Sequence, residues 1–196
     1  TMQCPFTETD VRRVTQVSET HGYRETFEAA GHEVTFFNAG HIPGSAHVLV
    51  DDGETQLFYT ADFHTEDQRL VSGSIARPDA DVVLCESTYS DVTHEPRSDI
   101  EGRFAESVET TLWEGGTVVV PAFAIGRTQE MLLVCDAYDL DCYVDGMGKD
   151  VTRMLGNYPE FVRDADALQG ATSHARFVTG RDGQRKRIAD QNTVIV

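Results

Sequence analysis

Three short segments place possible metal ligands or acid–base groups beside apolar runs. His41 lies in the glycine- and proline-rich loop 38–47, Asp62 follows the apolar run 57–60, and Glu86 follows the run 82–85. An imidazole is a common zinc ligand. A carboxylate can hold metal ions or move a proton during catalysis. Grouped in this order, the three side chains are suited to metal-assisted hydrolysis.

Taken singly, each of the three residues also has a simpler interpretation. A lone loop histidine is usually solvated, and an aspartate after a strand is common in turns. Glu86 could cap the turn at Ser87-Thr88. Burial beside a strand would raise the pKa of Glu86 unless a partner keeps it charged. Residue type alone therefore leaves both interpretations open.

The elements that must position these residues read mainly as strands. Asp51-Asp52-Gly53 predicts a hairpin turn, because Asp-Gly suits the positive-φ positions of tight turns. The last run, 82–85, is continuously apolar and predicts a strand buried on both faces. A short helix is predicted at 8–17. The predicted strands are 34–37, 47–50, 56–59 and 82–85.

From about residue 98 the pattern alternates between helix and strand. Ser98 and Glu101 have capping-box spacing, and apolar residues then recur every fourth position. Alternation of this kind predicts an α/β fold with a parallel sheet covered by helices. The last predicted strand reaches residue 196, which favours a cut within a longer protein. Strands are predicted at 117–120, 142–144, 177–178 and 193–196, and helices at 98–114, 128–138, 150–155 and 183–190.

A few basic residues are candidates for binding phosphate. Arg127 lies at a predicted helix start, where a guanidinium and backbone N–H groups suit an anion, although an ion pair with Glu130 is an alternative. Lys149 follows a glycine-rich turn, but no phosphate-binding GxxxxGK[ST] motif is present. The contiguous cluster Arg185, Lys186 and Arg187 predicts either an RNA-facing ridge or a solvated helix face.

The charge balance is strongly acidic. The 196 residues carry 33 Asp and Glu against 16 Lys and Arg, for a net charge of −17, and only two of the cations are lysine. A cationic partner is one explanation, and a salt-loving archaeal source is the favoured one. Since the Debye length in molar salt is about 3 Å, repulsion from phosphate would be largely screened. The acidity therefore does not exclude RNA.

The chain shows no signal for a membrane or for export. No apolar run is long enough to span a bilayer, and Thr1–Pro5 does not begin a signal peptide. The four cysteines show neither CxxC pairing nor the density of a disulfide scaffold. A reduced cytoplasm is therefore the expected location.

Taken together, the motifs resemble the metallo-β-lactamase/β-CASP nucleases, in particular the archaeal mRNA 3′-end processing factors. They occur in the family's order and cover almost the whole chain from Phe6. The matching segments are 40–46, 60–63, 86–89, 121–130 and 145–148.

The resemblance implies a fold and a function. Residues 1–90 would be part of a metallo-β-lactamase-like sandwich, and residues 91–196 a Rossmann-like β-CASP domain that is incomplete at its C-terminal end. An intact site would hold two zinc ions and hydrolyse RNA phosphodiesters. His41 would bind one zinc, Asp62 would bridge both and take part in catalysis, and Glu86 would assist a catalytic histidine. RNA would lie in the cleft between the two parts.

The chain also departs from the family pattern. Ala61 and Ser90 stand where glycine is usual, and the His-x-His-x-Asp-His segment that supplies most zinc ligands is absent. His47, His64 and His94 lie near the motifs and could support the ligands, although solvated or structural roles are alternatives. The chain is therefore expected to be an internal fragment with little activity of its own.

Other functions stay open at this point. A non-catalytic RNA-processing scaffold subunit of the same fold is the main alternative. The expected partners of the protein are RNA and either a second copy of itself or subunits of a processing complex. A DNA-repair nuclease of the same superfamily is disfavoured because residues 86–89 resemble the members that cleave RNA. A hydrolase of small esters is disfavoured because the second half of the chain resembles a β-CASP domain. The motifs do not distinguish endonuclease from 5′-exonuclease.

Overall fold

The computed structural model describes residues 5–196, so Cys4 and the first residues of the predicted segment 1–90 lie outside it. The helices are α1 Glu8–Val17, α2 Arg97–Trp113, α3 Arg127–Ala137, α4 Gly148–Leu155, α5 Ala165–His174 and α6 Gln184–Ala189, with a 3₁₀ turn at Pro159–Phe161. The strands are β1 Thr26–Ala29, β2 His32–Asn38, β3 Ala46–Asp51, β4 Gln56–Tyr59, β5 Val82–Leu84, β6 Val118–Val119, β7 Cys142–Val144, β8 Arg176–Phe177 and β9 Val194–Ile195.

The first half of the chain forms a mixed five-stranded sheet. Its order is β1-β2-β3-β4-β5, with antiparallel pairing up to β4 and a parallel pair between β4 and β5. The hairpin predicted between β3 and β4 is confirmed. Gly53 has φ +88°, and its N–H donates to Asp51 Oδ1 at 2.7 Å. This turn sets the register of the two strands that lead to the predicted site.

The predicted burial of the fourth strand is wrong. Among residues 5–196, β5 pairs with β4 alone and lies at the edge of the sheet, and Val83 is 58% exposed. A continuous apolar run shows that both faces of a strand are apolar. Which elements cover those faces is decided by the tertiary arrangement, and residues 5–196 leave β5 uncovered.

The second half forms the predicted parallel sheet. Its order is β6-β9-β7-β8, and every pair is parallel. The main core lies between this sheet and its helices, with Leu132 of α3, Val144 of β7 and Val194 of β9 at most 1% exposed. The α/β fold class is therefore confirmed. The chain also forms β1 and α5, which the sequence patterns did not predict.

The predicted capping box at α2 is wrong. α2 begins at Arg97 after Pro96, and no side chain caps it; Ser98 Oγ donates to Asp99 instead. Glu101 is 8% exposed and pairs with Arg97 and with Arg69 from the first half of the chain. Two charge-assisted bonds outweigh the single backbone bond that a capping glutamate would make.

A segment between the two sheets, residues 66–73, ties them together. The Glu130 carboxylate on α3 accepts hydrogen bonds from the N–H groups of Arg69 at 2.9 Å and Leu70 at 2.7 Å. Leu70 and Val71 are buried in the same core cluster as the α3 residues. The Arg163 N–H donates to Leu70 O at 2.7 Å. Residues 66–73 therefore join the first half of the chain to the helices of the second half, and we call this segment the 66–73 junction.

Membrane insertion through a helix has no support in the described part of the chain, since none of its helices combines the length and the apolar character needed to cross a bilayer.

Candidate active-site cavity

A cavity of about 590 Å³ lies between the two halves and is lined by four of the eight predicted site residues. His41, Asp62, Glu86 and Arg127 all line it. Lys149 and the cluster Arg185–Arg187 do not. Other lining residues include Phe63, His64, Gln68, Thr88, Tyr89, His94, Arg97, Glu101, Phe104 and Met131.

The loop that carries His41 is a tight turn between β2 and β3. Gly40 has φ +71°, and a Cβ built there would lie 2.4 Å from the His64 carbonyl oxygen, so only glycine fits. The Ser45 Oγ accepts hydrogen bonds from the N–H groups of His41 and Ile42, each at 3.2 Å. These contacts fix the backbone position of His41 independently of any ligand.

Asp62 follows β4 and is exposed at the cavity. Ala61 before it has φ +47°, in the left-handed region that glycine favours. The departure from the family's glycine therefore has a structural cost. For a residue with a Cβ this conformation costs roughly 1–2 kcal/mol.

Replacing Ala61 by glycine is expected to stabilise the chain. Glycine would relieve roughly 1–2 kcal/mol of backbone strain. Its greater chain entropy stabilises the unfolded state by roughly 0.5–1 kcal/mol, so the free energy of unfolding should rise by about 0.5–1 kcal/mol. Denaturant unfolding at constant salt measures this. Ala189→Gly, at the exposed end of α6, is the control and should lower stability. A neutral or destabilising Ala61→Gly would contradict the expectation.

Glu86 combines the two interpretations that its sequence position allowed. Its Oε2 accepts the Thr88 N–H at 2.8 Å, so it caps the turn, and its side chain also lines the cavity. The bonds from Thr88, and to a lesser extent the nearby His41, hold the pKa of Glu86 below its ordinary value. The condition stated for this residue is met, since the Thr88 donor keeps the carboxylate charged and burial does not raise its pKa. Glu86 is therefore ionised near neutral pH.

Arg127 is the first residue of α3 and is exposed at the cavity. Its Nη1 donates to the Gln68 side-chain oxygen at 2.9 Å. The alternative ion pair with Glu130 is not formed, since Glu130 is occupied by Arg97 and by the N–H groups of the 66–73 junction. The rest of the Arg127 guanidinium is thus placed where an anion in the cavity would meet it.

The other predicted RNA-binding residues have local contacts. Lys149 Nζ donates to the Val178 carbonyl at 2.6 Å. Arg185 Nε donates to Asp145 at 2.6 Å, and this pairing lowers the pKa of Asp145. Lys186 and Arg187 are exposed on α6. Their role in RNA binding stays a prediction, and it would involve a surface separate from the cavity.

The three histidines near the motifs differ in environment. His64 and His94 line the cavity. His47 is 2% exposed, between the Thr60 carbonyl and Ser74 Oγ at 2.6 Å each, and its burial lowers its pKa. A neutral His47 can donate from Nδ1 and accept at Nε2, which satisfies both contacts. His47 is therefore a structural residue of the first sheet.

The side chains at the cavity include types that bind zinc, but there are too few of them for a complete zinc site. An imidazole and a carboxylate are both zinc ligands, and a zinc site usually has at least three protein ligands. Within residues 5–196 no group of three His, Cys, Asp or Glu side chains is arranged to hold a metal ion. The described residues thus supply part of a site, and no reaction step through zinc follows from them alone.

Sequence reasoning missed Gln68, and it named Glu101 only as a capping residue and Glu130 only as a possible partner of Arg127. Most of the partners of these three residues lie 27 to 61 residues away in the chain, so their contacts leave no local pattern. Hydrophobic periodicity does point to the helices that carry Glu101 and Glu130, but it gives no sign that their carboxylates turn inward.

Comparison with known proteins identifies relatives. The chain is 30% identical over 190 residues to the probable RNase MJ4 of Methanocaldococcus jannaschii, covering 94% of this chain and 44% of the relative. It is 30% identical over 195 residues to RNase aCSPSF2 of Saccharolobus solfataricus, covering 97% and 40%. Cleavage and polyadenylation specificity factor subunit 3 of Dictyostelium discoideum is 38% identical over 134 residues, covering 68% and 17%.

The two archaeal matches run through the segments that form the cavity. The chain spans less than half the length of the curated relatives that it matches. No family profile matches the chain. Similarity over nearly all of the sequence, together with the ordered motifs and the α/β fold, shows that the chain belongs to the metallo-β-lactamase/β-CASP family of mRNA 3′-end processing ribonucleases.

Proposed function

We propose that the complete protein hydrolyses RNA phosphodiester bonds in mRNA 3′-end processing or RNA decay, with two zinc ions. The observation that carries this proposal is the gathering of His41, Asp62, Glu86 and Arg127 around one cavity. The names of the relatives support RNA as the substrate. The cavity, at about 590 Å³, is large enough to hold a nucleotide-sized group.

Each residue has a part that its geometry suits. His41 and Asp62 would hold zinc, which supplies activation of a water molecule and neutralisation of phosphate charge. Glu86, which its bond from Thr88 keeps ionised, would orient a group in the cavity or accept a proton from that group. Arg127 would bind a phosphate oxygen through the part of its guanidinium that faces the cavity.

The remaining expectations form part of the same proposal. The two sheets would belong to domains bounded at 1–90 and 91–196. The acidic surface would suit the cytoplasm of a salt-loving archaeon, where screening permits RNA to approach and local arginines attract it. Partners would be RNA and other subunits of a processing complex, or a second copy of the protein.

Zinc content and cleavage test the proposal directly. The complete protein, purified in high salt, should contain close to two zinc per chain, lose RNA cleavage on chelation and regain it with zinc. The isolated 196-residue chain should hold near-zero zinc, because its described donors are too few. Elemental analysis and cleavage of a labelled single-stranded RNA provide both measurements. Cleavage that survives complete removal of metal would refute zinc dependence.

A non-catalytic scaffold is the second candidate, and the incomplete donor set of this chain is the observation that favours it. The same experiment separates the two. A complete protein that binds RNA but holds no zinc and cleaves nothing would be a scaffold of the same fold.

A further inference from the structure

Gln68 lies within the 66–73 junction and contacts both sides of the cavity. It is 3% exposed. Its Nε2 donates to the carbonyl oxygens of Gly40 at 2.9 Å and His41 at 3.2 Å. Its Oε1 accepts from Arg127 Nη1 at 2.9 Å. One side-chain amide thus joins the loop of a predicted metal ligand to a predicted phosphate-binding guanidinium.

The amide has only one workable orientation. Its donor end faces two carbonyl oxygens, and its acceptor end faces a guanidinium, which can only donate. Reversing the amide would place donor against donor and acceptor against acceptor. The pairing therefore needs a residue that carries one donor group and one acceptor group at this length, and a glutamine meets that requirement.

The backbone beneath Gln68 is held as well. Its N–H donates to Val71 O, and its carbonyl accepts from Arg163 Nη1, each at 2.9 Å. The next two N–H groups donate to Glu130, as described above. Because both the main chain and the side chain are held, displacement of one partner of Gln68 would be transmitted to the other.

The two loops that Gln68 joins also touch each other. Gly126, directly before Arg127, has φ +80°, and a Cβ built on it would lie 2.7 Å from Ile42 Cγ2. Ile42 directly follows His41. Contact between the loops sets how closely they approach, while the amide of Gln68 sets how the His41 peptide and the Arg127 guanidinium are turned.

We propose that Gln68 is a positioning residue that holds His41 and Arg127 in fixed relative orientation, so that the Arg127 guanidinium meets a phosphate in the cavity that His41 also lines. This inference rests on the proposed function for its catalytic meaning. Its physical content, the dependence of phosphate binding by Arg127 on an uncharged buried amide, is independent of cleavage.

The test is RNA binding by the complete protein in the presence of a chelator, so that neither zinc nor cleavage is required. The affinity of a protein for single-stranded RNA falls as salt increases. In a plot of log affinity against log salt concentration, the steepness of the slope is about 0.7 for each phosphate that a cation neutralises. Arg127→Ala should reduce the slope by about 0.7. Gln68→Met removes no charge but frees the guanidinium, and it should reduce the slope by a similar amount. The control Gln169→Met, on the exposed surface of α5, should leave it unchanged.

A double-mutant cycle completes the test. Gln68→Met should weaken RNA binding in the wild-type background and have little further effect in the Arg127→Ala background, because the two act as a unit. If Gln68→Met proves too unstable to assay, Gln68→Asn, which keeps the amide but is one methylene too short, takes its place. An unchanged salt slope, or additive losses of affinity, would overturn the positioning role.

Cleavage then links the inference to the proposed function. In zinc-loaded protein, Gln68→Met should lower kcat roughly 10–100-fold, the range typical of residues that orient a metal ligand. A wild-type protein that does not cleave would defeat the proposed function, while the binding cycle would still decide the role of Gln68. Wild-type kcat in a Gln68→Met protein would overturn the positioning role itself.

Discussion

Replacing His41 by alanine in the complete protein is expected to lower the rate of RNA cleavage by more than roughly 100-fold. Outer partners of metal ligands are typically worth 10–100-fold, so loss of a ligand should exceed that range. The fold should survive, because the loop is held through its backbone by Ser45 Oγ and Gln68 rather than through the imidazole. Unfolding free energy should stay within about 1 kcal/mol of wild type.

Cleavage rate, zinc content and denaturant unfolding should be measured on the same preparations. His32→Ala is the matched control, since His32 is exposed at the far end of β2 and away from the cavity. It should leave all three quantities unchanged. A His41→Ala protein that keeps its zinc and its cleavage would remove His41 from the site.

The largest loss of stability is expected from Glu130→Gln. The carboxylate is 5% exposed, accepts the N–H groups of Arg69 and Leu70, and pairs with Arg97. An amide has a single acceptor oxygen, and its NH₂ would face one of these donors. With one buried donor unpaired and a charge partner lost, unfolding free energy should fall by about 2–4 kcal/mol.

Denaturant unfolding at fixed salt measures that loss. Glu109→Gln, on the exposed face of α2, removes the same charge. Among the described residues no ion pair or hydrogen bond is made by the Glu109 side chain, so stability should change by less than about 0.5 kcal/mol. Equal effects of the two substitutions would show that the 66–73 junction does not depend on the Glu130 carboxylate.

Local chemistry made several elements predictable. The bounds of α1, the Asp-Gly hairpin and the strand–helix alternation of the second half follow from turn residues and hydrophobic periodicity, which act over a few neighbouring positions. α5 was missed because its residues 165–174, rich in small side chains, show only a weak apolar stripe. β1 is a short strand with mostly exposed residues, and such strands have little pattern to detect.

The failures have a common physical cause. The burial of β5 and the capping role of Glu101 were both inferred from residues nearby in the chain. Their surroundings are set by elements distant in the chain. In the described part of the chain β5 has a neighbour on one side only, and Glu101 meets Arg69 from the other half. A local pattern records what a side chain can do, while its partner depends on which segments the fold brings together.

By itself the sequence determined the family, the α/β class and the residues whose chemistry is suited to metal and phosphate, because these depend on residue type and order. Only the tertiary structure showed that His41, Asp62, Glu86 and Arg127 line one cavity and that Lys149 and Arg185 are engaged elsewhere. It alone revealed Gln68 between the two halves. These hydrogen bonds join residues 27 and 59 positions apart, so they depend on packing of the whole chain, and no spacing along the sequence encodes them.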